Sequence, residues 1–89
     1  MDIYVITKLS DYGDGFSCDV MATKTDLAVA QDEMKSLAAE ELADYELGLD
    51  YEGVYEGGDE IEIDLSDNGK SEENYGYIKF EIHKSSIII

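Results

Sequence analysis

The hydrophobic pattern changes its period twice along the chain, and this change most narrowly limits the fold. Residues 2–9 and 16–22 alternate apolar and polar side chains with a period of two, which is typical of β-strands. The segment DYGDG (residues 11–15) between them has the composition of a turn, so the two runs predict a β-hairpin. One side of the second strand is more apolar than the other, and we expect this side to face the core. That side consists of Phe16, Cys18, Val20 and Ala22.

A helical period follows and predicts one long helix near residues 26–47. Thr25 can cap this helix because its hydroxyl can accept hydrogen bonds from first-turn amides, and Asp26 complements the positive end of the helix dipole. Gly48 is expected at the C′ position, where glycine is favoured. The apolar residues recur at steps of three and four and form one stripe: Leu27, Ala30, Met34, Leu37, Ala38, Leu42 and Tyr45.

The period returns to two in EIEIDL (residues 60–65) and in YGYIKFEIH (residues 75–83), with the turn signal Asp67-Asn68-Gly69 between them. These runs predict a second hairpin. The side chains expected to point inward are Ile61, Ile63, Leu65, Ile78, Phe80 and Ile82, and those expected to point outward are Glu60, Glu62, Asp64, Tyr77, Lys79, Glu81 and His83.

The order of elements predicts a single domain, residues 1–89, of the α+β class. In this β-β-α-β-β arrangement, one helix packs on one face of an antiparallel sheet. The remaining segment, residues 49–59, is predicted to be a loop or a short irregular strand.

The negative charge of the chain is concentrated in its middle. The sequence holds 22 acidic residues against six lysines and no arginine, for a formal charge of −16. Residues 36–69 contain twelve of the acids and no basic residue, and so carry −12 of that charge. Crowded like charges repel in a compact state, and acids at the end of a helix also oppose its dipole. This costly arrangement favours a surface that a positively charged partner neutralises.

The charge also excludes some partners. Nucleic acids and anionic membrane surfaces are themselves negative and would repel this chain, so we expect it to bind neither of them directly. A basic protein surface is the expected partner. The single cysteine fits a reducing compartment, and the N-terminal segment MDIYVITKL lacks the features of a signal peptide, so we expect a cytoplasmic location.

Few residues suggest catalysis or metal binding, and we predict neither an enzyme nor a cofactor. Cys18 and His83 could form a nucleophilic pair, but Cys18 is more simply explained as a small buried side chain. The segment beginning at Asp64 partly matches a calcium-binding EF-hand loop, but Tyr75 stands where the bidentate glutamate is needed. A β-turn explains this segment better.

The acidic run YEGVYEGGDEIEIDLSD (residues 51–67) and the acidic helix end resemble those of small phage-encoded inhibitors, the anti-CRISPR and anti-restriction proteins that act as nucleic-acid mimics. The resemblance is one of size and charge over the whole chain, without a diagnostic motif. It implies that the chain binds the basic nucleic-acid channel of a CRISPR effector or related nuclease in the cytoplasm of an infected bacterium. Residues expected to contact this partner are Glu40, Glu41, Asp44, Glu46, Asp50, Tyr51, Glu52, Tyr55, Glu56, Asp59, Glu60, Glu62, Asp64 and Asp67.

Two other interpretations remain open. The acids could form only a solvated face that keeps the protein in solution. The chain could also be a small assembly protein that forms a homodimer through a sheet edge or through Ile87–Ile89, since exposed isoleucines are a liability unless they are covered.

Overall fold

The computed structural model describes residues 1–11, 15–65 and 76–86, and in this part of the chain one helix packs against a five-stranded sheet. The elements in chain order are β1 (Asp2–Asp11), β2 (Phe16–Lys24), α1 (Leu27–Ala43), β3 (Val54–Glu56), β4 (Glu60–Asp64) and β5 (Tyr77–Ser86). The strand order is β2-β1-β5-β4-β3, and every neighbouring pair is antiparallel. The predicted α+β fold is confirmed, and segment 49–59 contributes the short edge strand β3.

The core lies between α1 and one face of the sheet, which we call the inner face. The buried side chains of α1 are Ala30, Met34, Ala38 and Leu42, and those of the sheet include Ile6, Ile61, Ile63, Ile78, Phe80 and Ile82. Because strand side chains alternate between faces, the residues between these positions lie on the opposite, outer face. The predicted inward and outward sides of β4 and β5 are therefore confirmed.

The predicted inward side of β2 is wrong, because a β-bulge changes the alternation. Ile6 pairs with Ala22, but the next residue of β1, Thr7, pairs with Val20, so Met21 is the extra residue. Ala22 thus shares the inner face with Ile6, whereas Val20 and the residues at steps of two before it lie on the outer face. Phe16, Cys18 and Val20 are accordingly exposed rather than buried.

The helix begins one residue later than its predicted cap. Asp26, rather than Thr25, is the N-cap residue, and its Oδ1 accepts hydrogen bonds from the backbone N–H groups of Ala28 (2.8 Å) and Val29 (3.2 Å). A carboxylate at this position satisfies two otherwise unpaired amides and also complements the helix dipole.

The helix end was also misplaced, because Glu46 rather than Gly48 adopts the left-handed conformation, with φ of 61°. The N–H of Glu46 donates to the Ala43 carbonyl and the N–H of Leu47 donates to the Leu42 carbonyl, each at 3.0 Å. These two hydrogen bonds form a Schellman motif, which directs Leu47 back onto the core.

Replacing Glu46 with glycine is expected to raise the free energy of unfolding by about 0.5–1 kcal/mol, because glycine adopts positive φ without steric cost. Urea denaturation followed by far-UV circular dichroism measures the change. The control is Glu46→Ala, which removes the same charge but keeps a side chain in the left-handed conformation. Equal stability of the two variants would show that charge, and not backbone strain, governs this position.

A close approach of two backbone segments holds the region before β3 against β4. The N–H of Asp64 donates to the carbonyl of Gly53 (2.8 Å), and the hydroxyl of Tyr51 donates to the carbonyl of Asp64 (3.2 Å). Gly53 is buried. A Cβ atom on it would overlap the Asp64 carbonyl oxygen and lie 2.6 Å from Cε2 of Tyr51, so only glycine fits. This contact fixes the edge of the sheet formed by β3 and β4.

Candidate acidic interface

The predicted row of carboxylates lies on the outer face of the sheet. Glu60, Glu62 and Asp64 alternate along β4 with the buried Ile61 and Ile63. Successive side chains on one face of a strand are about 6.6 Å apart, because the rise is about 3.3 Å per residue. The side chains of Glu60 and Glu62 retain 43% and 33% of their exposure, so solvent or a partner can reach them.

The row is partly neutralised within the protein, contrary to the inference from the sequence that these acids have no cation near them. Lys79 lies opposite Glu62 in the β4–β5 pairing. Its Nζ is 3.3 Å from Glu60, 3.8 Å from Glu62 and 3.8 Å from Glu81. One ammonium therefore faces three carboxylates, which leaves the group negative.

The environment of this group also affects two pKa values. The hydrogen bond to Glu60, with the other nearby carboxylates, raises the pKa of Lys79 against the opposing effect of desolvation. Desolvation raises the pKa of Tyr77, and the charge of Glu62 adds to that rise because it disfavours a second anion. Lys79 thus remains a cation and Tyr77 a neutral phenol at physiological pH.

More acids continue from this row around the β3 edge of the sheet. Glu56 pairs with Ile61 and so lies on the inner side of the edge, while Tyr55 pairs with Glu62 and lies on the outer side. Glu52 precedes β3, and Asp59 lies in the turn between β3 and β4; both are exposed. We call this whole surface the β3–β4 acidic surface: Glu52, Tyr55, Glu56, Asp59, Glu60, Glu62 and Asp64. Asp50 is exposed in the preceding turn.

The acids at the end of α1 form a separate group, the helix-end cluster, which consists of Glu40, Glu41, Asp44 and Glu46. Glu41 accepts a hydrogen bond from Lys8 of β1 at 3.0 Å, and the two side chains are only 15% and 19% exposed. A cavity of about 270 Å³ lies beside this ion pair. Its lining residues are Lys8, Met21, Leu37, Glu40, Glu41, Asp44 and Phe80.

The acids that the sequence suggested as one face, from Glu40 to Asp67, thus fall into two groups among the described residues. The helix-end cluster lies on the α1 side of the sheet and toward β1 and β2, whereas the row on β4 lies on the outer face and toward β3. A flat partner surface cannot contact both groups at once. Asp67 lies outside the described residues, as do the predicted turn at residues 67–69, the rest of the partial EF-hand segment and Ile87–Ile89.

The two tyrosines expected to contact the partner, Tyr51 and Tyr55, differ in their surroundings. Tyr55 is 56% exposed beside Glu62, where a partner can reach it. Tyr51 is half-buried against the core and donates its hydroxyl to the Asp64 carbonyl. Tyr51 thus supports the strand that carries the carboxylates, and Tyr55 is the one placed to contact a partner.

The strand register separates the residues considered for nucleophilic catalysis. Cys18 lies opposite Leu9 on one side of β1, and His83 lies opposite Val5 on the other side. Cys18 and His83 are thus separated by four residues along the strand direction and by two strand spacings. This separation corresponds to roughly 16 Å, which is far beyond hydrogen-bond reach. His83 Nε2 instead lies 3.0 Å from Oγ1 of Thr7.

Residues 1–11, 15–65 and 76–86 contain no group of three or more His, Cys, Asp or Glu side chains arranged to hold a metal ion. In the same ranges, no helix has the length and apolar character required to span a bilayer.

Comparison of the chain with protein-family models, with curated proteins and with solved structures finds no match. The resemblance to phage inhibitors therefore stays a prediction from size and charge.

Proposed function

We propose that this protein is a stoichiometric inhibitor that binds the basic nucleic-acid-binding surface of a bacterial defence nuclease, such as a CRISPR effector, through the β3–β4 acidic surface. The observation that carries this proposal is the row of Glu60, Glu62 and Asp64 along the outer face of β4. Its regular spacing of about 6.6 Å is comparable to that of neighbouring phosphates along a nucleic-acid strand. A channel lined with Lys and Arg to bind phosphates can bind such a row in the same way.

The charges around the row support binding rather than only solubility. Glu60 and Glu81 are directly opposite each other in the sheet, an arrangement that destabilises a strand pair unless a cation intervenes. Lys79 is that cation in the free protein, but one ammonium cannot neutralise three carboxylates. Lysines or arginines of a partner would neutralise the remainder, and opposed potentials would also accelerate association.

An aromatic side chain beside the row supplies a contact that does not depend on salt. Tyr55 is 56% exposed, and tyrosine is common among the residues that dominate interface energies. The same interface therefore combines charged side chains, which accelerate association, with one aromatic side chain that contributes an apolar contact.

The proposal is tested by reversing three charges at each acidic surface in turn. The variant Glu60→Lys/Glu62→Lys/Asp64→Lys changes the β4 row, and Glu40→Lys/Asp44→Lys/Glu46→Lys changes the helix-end cluster by the same amount of charge. Glu41 is left intact because it pairs with Lys8. Both variants and the wild type are immobilised and exposed to bacterial lysate at low salt. The bound lysate proteins are eluted either with a salt gradient or with competing DNA or RNA, and they are identified by mass spectrometry.

We expect the wild type and the helix-end variant to retain one nuclease complex that competing nucleic acid displaces and whose activity the protein inhibits. The β4 variant is expected to bind that complex at least tenfold more weakly, with an unchanged circular dichroism spectrum. Equal losses in both variants would indicate only a general effect of net charge. Equal retention in both would exclude the β4 row as the binding surface.

A further inference from the structure

Strand β2 is a long sheet edge with apolar side chains in solvent. It pairs with β1 on one side and forms the end of the strand order, so no strand of residues 1–11, 15–65 and 76–86 pairs with the backbone groups on its other side. Phe16 is 74% exposed and Val20 is 69% exposed, more than any other large apolar side chain of the described residues. Both lie on the outer face with the exposed Cys18. Proteins normally protect such an edge, because it can pair with another strand.

The charge of β2 differs from that of the rest of the molecule and indicates what can pair with it. The strand contains one acid, Asp19, and one base, Lys24, in a chain of formal charge −16. A basic partner would gain little electrostatic energy here and would instead be drawn to the acidic surfaces. A second copy of the chain, repelled by those surfaces, meets the least repulsion along β2.

We propose that β2 pairs antiparallel with β2 of a second copy about a two-fold axis at Cys18, so that the two sheets become continuous. The bulge at Met21 limits regular pairing to Phe16–Val20. With Cys18 opposite its copy, Phe16 lies directly opposite Val20 of the second copy on the outer face. Asp19 lies opposite Ser17, so no like charges oppose each other. This self-association is independent of the function proposed for the β3–β4 acidic surface.

The proposal predicts a salt dependence opposite to that of binding to a basic partner. Added salt screens the repulsion between two chains of charge −16, so the dimer strengthens as the NaCl concentration rises. A complex between acidic and basic surfaces weakens under the same change.

Sedimentation equilibrium of the full chain under reducing conditions, at several NaCl concentrations, tests the dimer. We expect Val20→Lys to weaken dimerisation at least tenfold, because two introduced ammonium groups and two lost apolar contacts disrupt the short pairing. Since this substitution lowers the net negative charge, a general charge effect would strengthen the dimer instead. The control Val29→Lys adds the same charge on α1, at a side chain that is 49% exposed, and is expected to leave dimerisation as strong as in the wild type or slightly stronger.

Cross-linking of Cys18, the single cysteine of the chain, tests the position of the axis. Residues opposite each other in an antiparallel pair have Cα atoms about 4.5–5.5 Å apart, within the range of a disulfide. A mild copper oxidant is therefore expected to produce a covalent dimer rapidly in the wild type and at least tenfold more slowly in Val20→Lys. If Val20→Lys does not fold, Phe16→Lys replaces it.

Three results would overturn the proposal. The first is a monomer at all protein and salt concentrations. The second is a dimer that the β2 substitutions do not weaken, which would locate the interface elsewhere. The third is a dimer whose Cys18 thiols do not cross-link, which would exclude the two-fold axis at this residue.

Discussion

Replacing Gly53 with alanine is expected to lower the free energy of unfolding by about 3 kcal/mol, because the new methyl group has no space. It would overlap the backbone carbonyl oxygen of Asp64 and approach the ring of Tyr51. Relief would require separation of the segments joined by the Asp64 N–H to Gly53 carbonyl hydrogen bond. The substitution thus detaches β3 from β4 or strains both strands.

Urea denaturation followed by far-UV circular dichroism measures this loss, and Gly58→Ala is the matched control. At Gly58 the nearest atom to a new Cβ is Nε2 of Gln31, at 4.0 Å, so the control is expected to change stability by less than about 1 kcal/mol. Equal stability of Gly53→Ala and the wild type would mean that the close approach at Gly53 does not exist in solution.

Replacing Lys8 with methionine is expected to destabilise the protein by about 2 kcal/mol, between the values typical of exposed and buried ion pairs. Methionine keeps an apolar stem of similar length but removes the cation that faces Glu41 at 3.0 Å. Glu41, only 15% exposed, would then lie beside Glu40 and Asp44 without its counter-ion. Denaturation by urea at neutral pH measures the change.

The exposed ion pair of Lys84 with Asp2 provides a control, because Lys84→Met removes the same charge as Lys8→Met. Their side chains are 62% and 47% exposed and their charged atoms are 3.5 Å apart, so Lys84→Met is expected to cost less than about 0.5 kcal/mol. Adding Glu41→Gln to Lys8→Met should restore part of the lost stability, because it removes the uncompensated charge. Equal effects of Lys8→Met and Lys84→Met would indicate that net charge alone matters.

The stability experiments separate the residues that hold the fold together from those that a partner can contact. Glu41 contributes to the fold through Lys8, and Tyr51 contributes through its hydrogen bond to Asp64. Glu60 and Glu62 of β4 share Lys79 with Glu81 of β5, and Tyr55 is largely exposed. Among the described residues, Glu60, Glu62 and Glu81 thus have one lysine for three carboxylates, whereas Glu41 has Lys8 to itself.

The order of elements could be predicted from the sequence because local side-chain periodicity reflects which face of each element is buried. Ile61, Ile63 and Phe80 are buried as predicted, and Glu60 and Glu62 point outward as predicted. The prediction failed where one residue changes the period. The extra residue Met21 reverses the sides of β2, and nothing in the alternation of FSCDVMA indicates this bulge.

The net charge, the amphipathic strands and helix, and the outward row of carboxylates can all be read from the amino-acid sequence. These follow from composition and local spacing, which are already set in an isolated segment. The contacts of Lys79 with Glu60 and Glu62 and of Lys8 with Glu41, and the division of the acids into two surfaces, arise when the strands and the helix pack together. Those relations depend on strand order and register, which bring together residues distant in the chain and which no local period specifies.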